Sequence, residues 1–269
     1  DLSFDVNGEI DAALIKAIPE DVLKSGVIKE ASGLLGVSLL AEGNTYTYDK
    51  RTNQNVFSLK NIDLTGYIGV RDPINILTEY SDSPFEMKQG FFVLDKKSPK
   101  CKKGEWCLYT PEGQQFMFGL REEDQWLNLD VLLSRDSGKL SVALYGMIDA
   151  MIAHMFMKDV TNAQGKIDIN TEVQGKLLNS MGELEVDLEK FKVGGSIEVV
   201  EPILLEMASL SEPIELNKGG VIKIAESKEC ALGTDCIVIP KNQALSGNVM
   251  GGNFIIFADI ARTGVIPGA

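Results

Sequence analysis

The chain resembles itself. Displaced by 129 residues and compared without gaps, residues 59–107 and 188–236 are identical at 13 of 49 positions, well above chance. "LKNIDLTGYIGVRDPINI" lies over "LEKFKVGGSIEVVEPILL". Leu59 falls on Leu188, Gly66 on Gly195, Ile68 on Ile197, Val70 on Val199 and Pro73 on Pro202. Pro84, Glu86 and Gly90 fall on Pro213, Glu215 and Gly219, and Pro111 falls on Pro240. Positions that differ keep their class, as Ile62 does with Phe191 and Leu64 with Val193. A period this long is too great for a solenoid repeat and suits a whole domain. Two tandem domains are therefore predicted, residues 1–125 and 126–269.

The same displacement accounts for the cysteines. Cys101, Gly104 and Cys107 fall on Cys230, Gly233 and Cys236, so each unit carries one Cys-x5-Cys loop. Five residues with a central glycine suit a hairpin tip closed by a disulfide. Disulfides Cys101–Cys107 and Cys230–Cys236 are expected. A zinc site needs four donors, and each loop offers two. Paired cysteines imply an oxidising compartment, hence a secreted, cell-surface or periplasmic protein. The chain opens at Asp1 rather than Met, which fits removal of a preceding segment.

Within the repeat, strand signals dominate. "FSLKNIDLTGYIGV" alternates apolar and polar residues, and "FFVLD" at 91–95 reads as a short buried strand. "SDSP" at 81–84 marks a turn. Pro73 and Pro202 suit an edge, a turn or a strand's first residue. Ahead of each body lies a stretch with helical spacing. "DAALIKAIPEDVLKSGVIKEA" (11–31) sets Ala13, Ile15, Ile18, Val22 and Leu23 near one face. In "LSVALYGMIDAMIAHMFMKD" (140–159), Met147, Met151 and Met155 recur every fourth residue and form a candidate apolar partner face. The expected fold is β-rich α+β: a tandem duplication of two similar domains, each an antiparallel sheet or sandwich with a helical segment and one disulfide-closed hairpin.

Three short segments look alike: "LSFDV" (2–6), "LNLDV" (127–131) and "IIFADI" (255–260) place Asp5, Asp130 and Asp259 at one phase. Three copies for two bodies leave one to be shared or donated. Sharing makes the middle copy common to both domains. Donation sends the N-terminal strand, with Leu2, Phe4 and Val6 as its anchoring side chains, into a neighbouring molecule.

Catalytic patterns are missing. His154 is the sole histidine and sits in the Met-rich stretch, where a packing role fits it. No Gly-x-Ser-x-Gly, phosphate-binding glycine loop or His-Glu-x-x-His occurs. "DVNGEID" at 5–11 and "NAQGKID" at 162–168 resemble half of a calcium loop, but Leu14 stands where the first would need its bidentate glutamate. Asn7-Gly8 reads more simply as a hairpin turn. Glu122, Glu123 and Asp124 lie in a charge run that suits a solvated loop. Trp106 and Trp126 have no counterparts at Asp235 and Ile255, which favours packing over a sugar platform. No metal or cofactor is expected.

The net charge of −13 divides evenly, −6 over residues 1–125 and −7 beyond. An acidic surface repels phosphate backbones, which argues against nucleic-acid binding. These observations point to a non-enzymatic extracellular assembly protein, a filament or fimbrial subunit engaged in self-assembly and adhesion, polymerising by N-terminal donor-strand exchange. The alternative is a secreted or periplasmic protein that binds an apolar ligand such as lipid, and a hydrolase ranks third. Self-association is the expected partnership, with membrane or lipid contact as a further option.

Overall fold

The computed structural model describes residues 2–17, 28–44, 46–50, 53–57, 62–78, 84–96, 101, 106–120, 126–134, 137–151, 159–176, 191–225 and 236–261. In the first half the strands are β1 (Leu2–Asp11), β2 (Ile28–Gly43), β3 (Tyr46–Asp49), β4 (Gln54–Phe57), β5 (Ile62–Thr78) and β6 (Phe85–Gln89). They continue with β7 (Phe91–Asp95), β8 (Cys107–Tyr109), β9 (Phe116–Leu120) and β10 (Leu127–Ser134). The second half begins with β11 (Lys139–Asp149), β12 (Val160–Gln164), β13 (Lys166–Lys176), β14 (Lys192–Val199) and β15 (Ile203–Met207). It ends with β16 (Ile214–Leu216), β17 (Val221–Ala225), β18 (Cys236–Ile239), β19 (Leu245–Val249), β20 (Gly252–Ile256) and β21 (Ala258–Ala261).

Every strand pairing among the described residues is antiparallel. Two long strands turn the corners of a sandwich. β5 pairs with β7 through Gly66–Gly69 and with β6 through Ile74–Ile76. β10 pairs with β9 at its start and with β8 at its end. Since β6 pairs with β9 and β7 with β8, the six strands return on themselves. Inside lie Ile62, Ile74, Phe116 and Leu127, with the Phe92 and Phe116 rings 4.4 Å apart. In the second half a core of Ala150, Val160, Ala163, Val199 and Ile203 is flanked by Ile167, Leu205, Leu216 and Leu245.

The registers of the two halves run in step. Leu35 faces Val70 and Leu39 faces Gly66, as Ile167 faces Val199 and Thr171 faces Gly195. Ile74 faces Met87, as Ile203 faces Leu216. The corner is built alike as well. Gly33 and Gly165 have φ of +111° and +102°, and a Cβ on either would run into a proline carbonyl, that of Pro73 or of Pro202. Only glycine combines this backbone with so close an approach.

No α-helix occurs among the described residues, so the α+β expectation gives way to a nearly all-antiparallel β fold. Ala12–Ala17 forms one stretch of 3₁₀ helix, and Ile28–Ala31 of the first helical candidate belongs to β2. Residues 140–149, expected to start the Met-rich helix, lie in β11, held between β10 and β13. A spacing of four is a multiple of two as well as about one helical turn, so methionines at that interval mark one face of a strand equally well. The alternation of Ile148 (0% exposed) with Met147 (44%) is the strand pattern. Asn7-Gly8 is no turn: both lie within β1, opposite Ser38 and Val37. "DVNGEID" is therefore extended strand rather than a calcium loop. Pro73 stands inside β5 near irregularities in its register with β2, a position that tolerates proline because the ladder is already broken there.

Candidate functional site: the open strand edges

The large sheet begins at β1 and ends at β21, and the smaller five-stranded sheet ends at β20. Among the described residues β1 uses one edge for β2 and leaves the other open, and β20 and β21 use one edge each, for β19 and β18. An open edge presents unpaired N–H and C=O groups to any extended chain that approaches it. Charged side chains often guard such edges; here Asp5, Glu9, Asp11 and Asp259 are exposed along them, and large apolar side chains are exposed beside them. Phe4 on β1 is 59% exposed, and Ile255 and Ile260 near the C-terminal end are 69% and 54% exposed, with Ile256 and Phe257 also facing solvent. Clustered exposed side chains of this size mark interaction sites.

Between these ends lies a filled edge of the same kind. β10 closes the first half through β8 and β9, and its other side pairs with β11 from Leu127 opposite Gly146 to Leu133 opposite Leu140. Leu127 is buried there. Thr110 pins the corner of β10: its buried hydroxyl donates to Asp130 and accepts the Val131 N–H at 2.8 Å. Ser141 Oγ of β11 donates to Glu172 Oε1 of β13 at 2.7 Å, and Gln174 donates to the same oxygen at 2.7 Å. The Ser141 bond, then the Gln174 bond, holds the Glu172 carboxyl below its usual value.

Of the anchoring residues expected on the N-terminal strand, Phe4 lies opposite Ala41 and Val6 opposite Leu39, with Leu2 opposite Gly43. They are seated along β2 of their own chain. Met147 is exposed on β11 and Met151 half-buried in the turn after it, whereas Met155 and His154 lie outside the described residues. Cys101 and Cys107 form a disulfide beside the β7–β8 hairpin. Cys236 is disulfide-bonded too, while Cys230 lies outside the described residues, as do Glu122, Glu123 and Asp124. Trp106 is buried, and Trp126 packs beneath the Lys88 ammonium, 4.8 Å from the ring centroid.

A wide groove of about 1,100 Å³ crosses the first half from Asn7 and Gly8 on β1 to Phe91 and Val93 on β7. Glycines 8, 36, 66, 69 and 90 keep its floor low, and Tyr67 stands at its side. The Arg71–Glu9 ion pair sits in it, largely exposed. The groove is open to solvent and includes the β1 edge.

No described helix is long and apolar enough to cross a membrane. Among the described residues no three His, Cys, Asp or Glu side chains gather to hold a metal ion. No protein-family model matches the chain, no curated protein matches it, and no solved structure matches it.

Proposed function

We propose that this chain is a non-catalytic structural module of an oxidising, extracytoplasmic setting, and that it assembles with other chains through the edges of its sheet. The observation that carries this reading is the exposure of large apolar side chains along both open edges, Phe4 at one and Ile255, Ile256 and Ile260 at the other. Main-chain hydrogen bonds along such edges supply affinity, and alternate side chains supply register.

The module is a tandem duplication of one β unit, a reading supported by the matched registers and by the paired corner glycines Gly33 and Gly165. β10 belongs by its pairing to the first unit, which moves the proposed boundary from residue 125 to the connection between β10 and β11, after Ser134. Assembly takes place at the free side of β1 with β1 kept in its own fold, a variant of strand donation in which nothing is withdrawn from β2. Disulfide bonds in both units favour a secreted or surface location.

Light scattering across a concentration series tests the proposal. The intact chain is expected to gain mass with concentration, and Ile256→Lys to remain monomeric, because an exposed edge lysine blocks strand addition without touching the core. A chain that stays monomeric throughout contradicts the reading. It would leave the groove as the functional feature and an apolar ligand as the question to ask of it, since the groove's walls include Tyr67, Val70 and Phe91.

A further inference from the structure

The two open edges correspond to the two sides of the junction in the middle of the chain, and this identifies what fits them. β1 corresponds to β11. Leu2 faces Gly43 and Ile10 faces Leu35, as Leu140 faces Gly175 and Ile148 faces Ile167. "LSFDVNGEID" and "LSVALYGMID" share five of ten residues at this alignment, among them Gly8 with Gly146 and Asp11 with Asp149. β20 and β21 together correspond to β10, and two separate ladders give the same offset. Cys107 faces Ser134 and Cys236 faces Ala261; Phe118 faces Leu127 and its counterpart Gly247 faces Phe254. Both place each β10 residue 127 positions before its counterpart. In this register Asp130 answers Phe257, two residues from the phase that the aspartates alone suggest.

Resting on the assembly reading above, we infer that a second copy of this chain docks head to tail, its β1 lying antiparallel along β20 and β21 in the register of the internal β10–β11 pair. Transferring that register sets Phe254 opposite Gly8, Ile256 opposite Val6, Ala258 opposite Phe4 and Ile260 opposite Leu2. The internal pairs they copy are Leu127–Gly146, Leu129–Leu144, Val131–Val142 and Leu133–Leu140. Large side chains meet small or aliphatic ones throughout, and Phe4 meets an alanine. On the other face Asp259 meets Ser3 and Phe257 meets Asp5, so no like charges are opposed. The exposures fit a missing partner. Ile10 is 41% exposed where its counterpart Ile148 is buried, and Ile256 faces solvent where Leu129 is half-buried. Each molecule thus carries the two unlike halves of a contact that it already makes once within itself. Such a contact is heterologous and continues from copy to copy, into a filament or a ring.

Single cysteines on separate chains test the register. Ser3, Asp259 and Phe257 are exposed, so substituting them leaves the core intact. Ser3→Cys mixed with Asp259→Cys under mild oxidation should give about fivefold more cross-linked heterodimer than Ser3→Cys mixed with Phe257→Cys, because directly opposed residues meet disulfide geometry and a two-residue slip does not. A chain carrying both Ser3→Cys and Asp259→Cys should give a ladder of covalent multimers. Equal yields, or more from the slipped pair, would overturn the register even if light scattering shows association, which leaves the assembly reading standing. A chain that neither associates nor cross-links overturns both.

Discussion

At the scale of single residues, the most demanding positions are the corner glycines. Gly33→Ala and Gly165→Ala each force a Cβ against a proline carbonyl at positive φ, and each is expected to cost about 1–3 kcal/mol or more. Gly36→Ala, whose Cβ would find its nearest neighbour at 3.9 Å, should stay within about 1 kcal/mol. Urea denaturation of the three variants checks the contrast. Glu172 predicts a pH effect of definite sign. Its carboxyl is held low by a hydrogen bond from Ser141 across the β11–β13 pair and by one from Gln174 on its own strand. The stabilisation is therefore present at neutral pH, above the unfolded-state pKa, and is lost as pH falls through the lower folded-state value. Melting temperatures of the parent and Glu172→Gln should differ most near neutrality and converge in acid.

At the scale of elements, β11 separates the strand from the helix its methionines suggested. Ile148→Ala should cost about 2–5 kcal/mol, because the side chain is fully buried. Met147→Ala, one residue away on the exposed face, should cost less than about 1 kcal/mol. Thermal melts of both variants test it, and comparable losses would contradict the alternation. Much of the strand pattern was legible in the sequence: the Ile62–Val70 alternation falls in β5, "FFVLD" is β7, and the middle one of the three like segments is β10, paired with β8 and β9 on one side and β11 on the other. The match between β1 and β11 was hidden by the connections that follow. Sixteen residues separate β1 from β2, but ten separate β11 from β12, so a comparison held at 129 cannot bring the first strands together. Connecting loops absorb such length changes at little energetic cost. The aspartate phase misled for a related reason: alternation fixes which face a residue occupies but leaves register free by two, and only the ladders to β8 and β9 determine it.

At the scale of the whole molecule, two sandwich-like halves are joined among the described residues by the β10–β11 pair, and the strand at each end has no described strand paired on its outer side. The edges themselves were not legible, because a terminal strand that pairs on one side and one that pairs on both read alike in sequence. Only topology shows that Phe4 and Ile256 have no neighbouring strand beyond them among the described residues.

Amide hydrogen exchange, followed strand by strand as concentration is raised, tests the central claim most directly. Amides of β10 and β11 that bond to each other should exchange slowly at every concentration, since that junction lies within one chain. Outward-pointing amides of β1, β20 and β21 should exchange fast in dilute solution and slow together as copies associate. Fast exchange at those edges at all concentrations, with β10 and β11 unchanged, would contradict assembly through the strand edges.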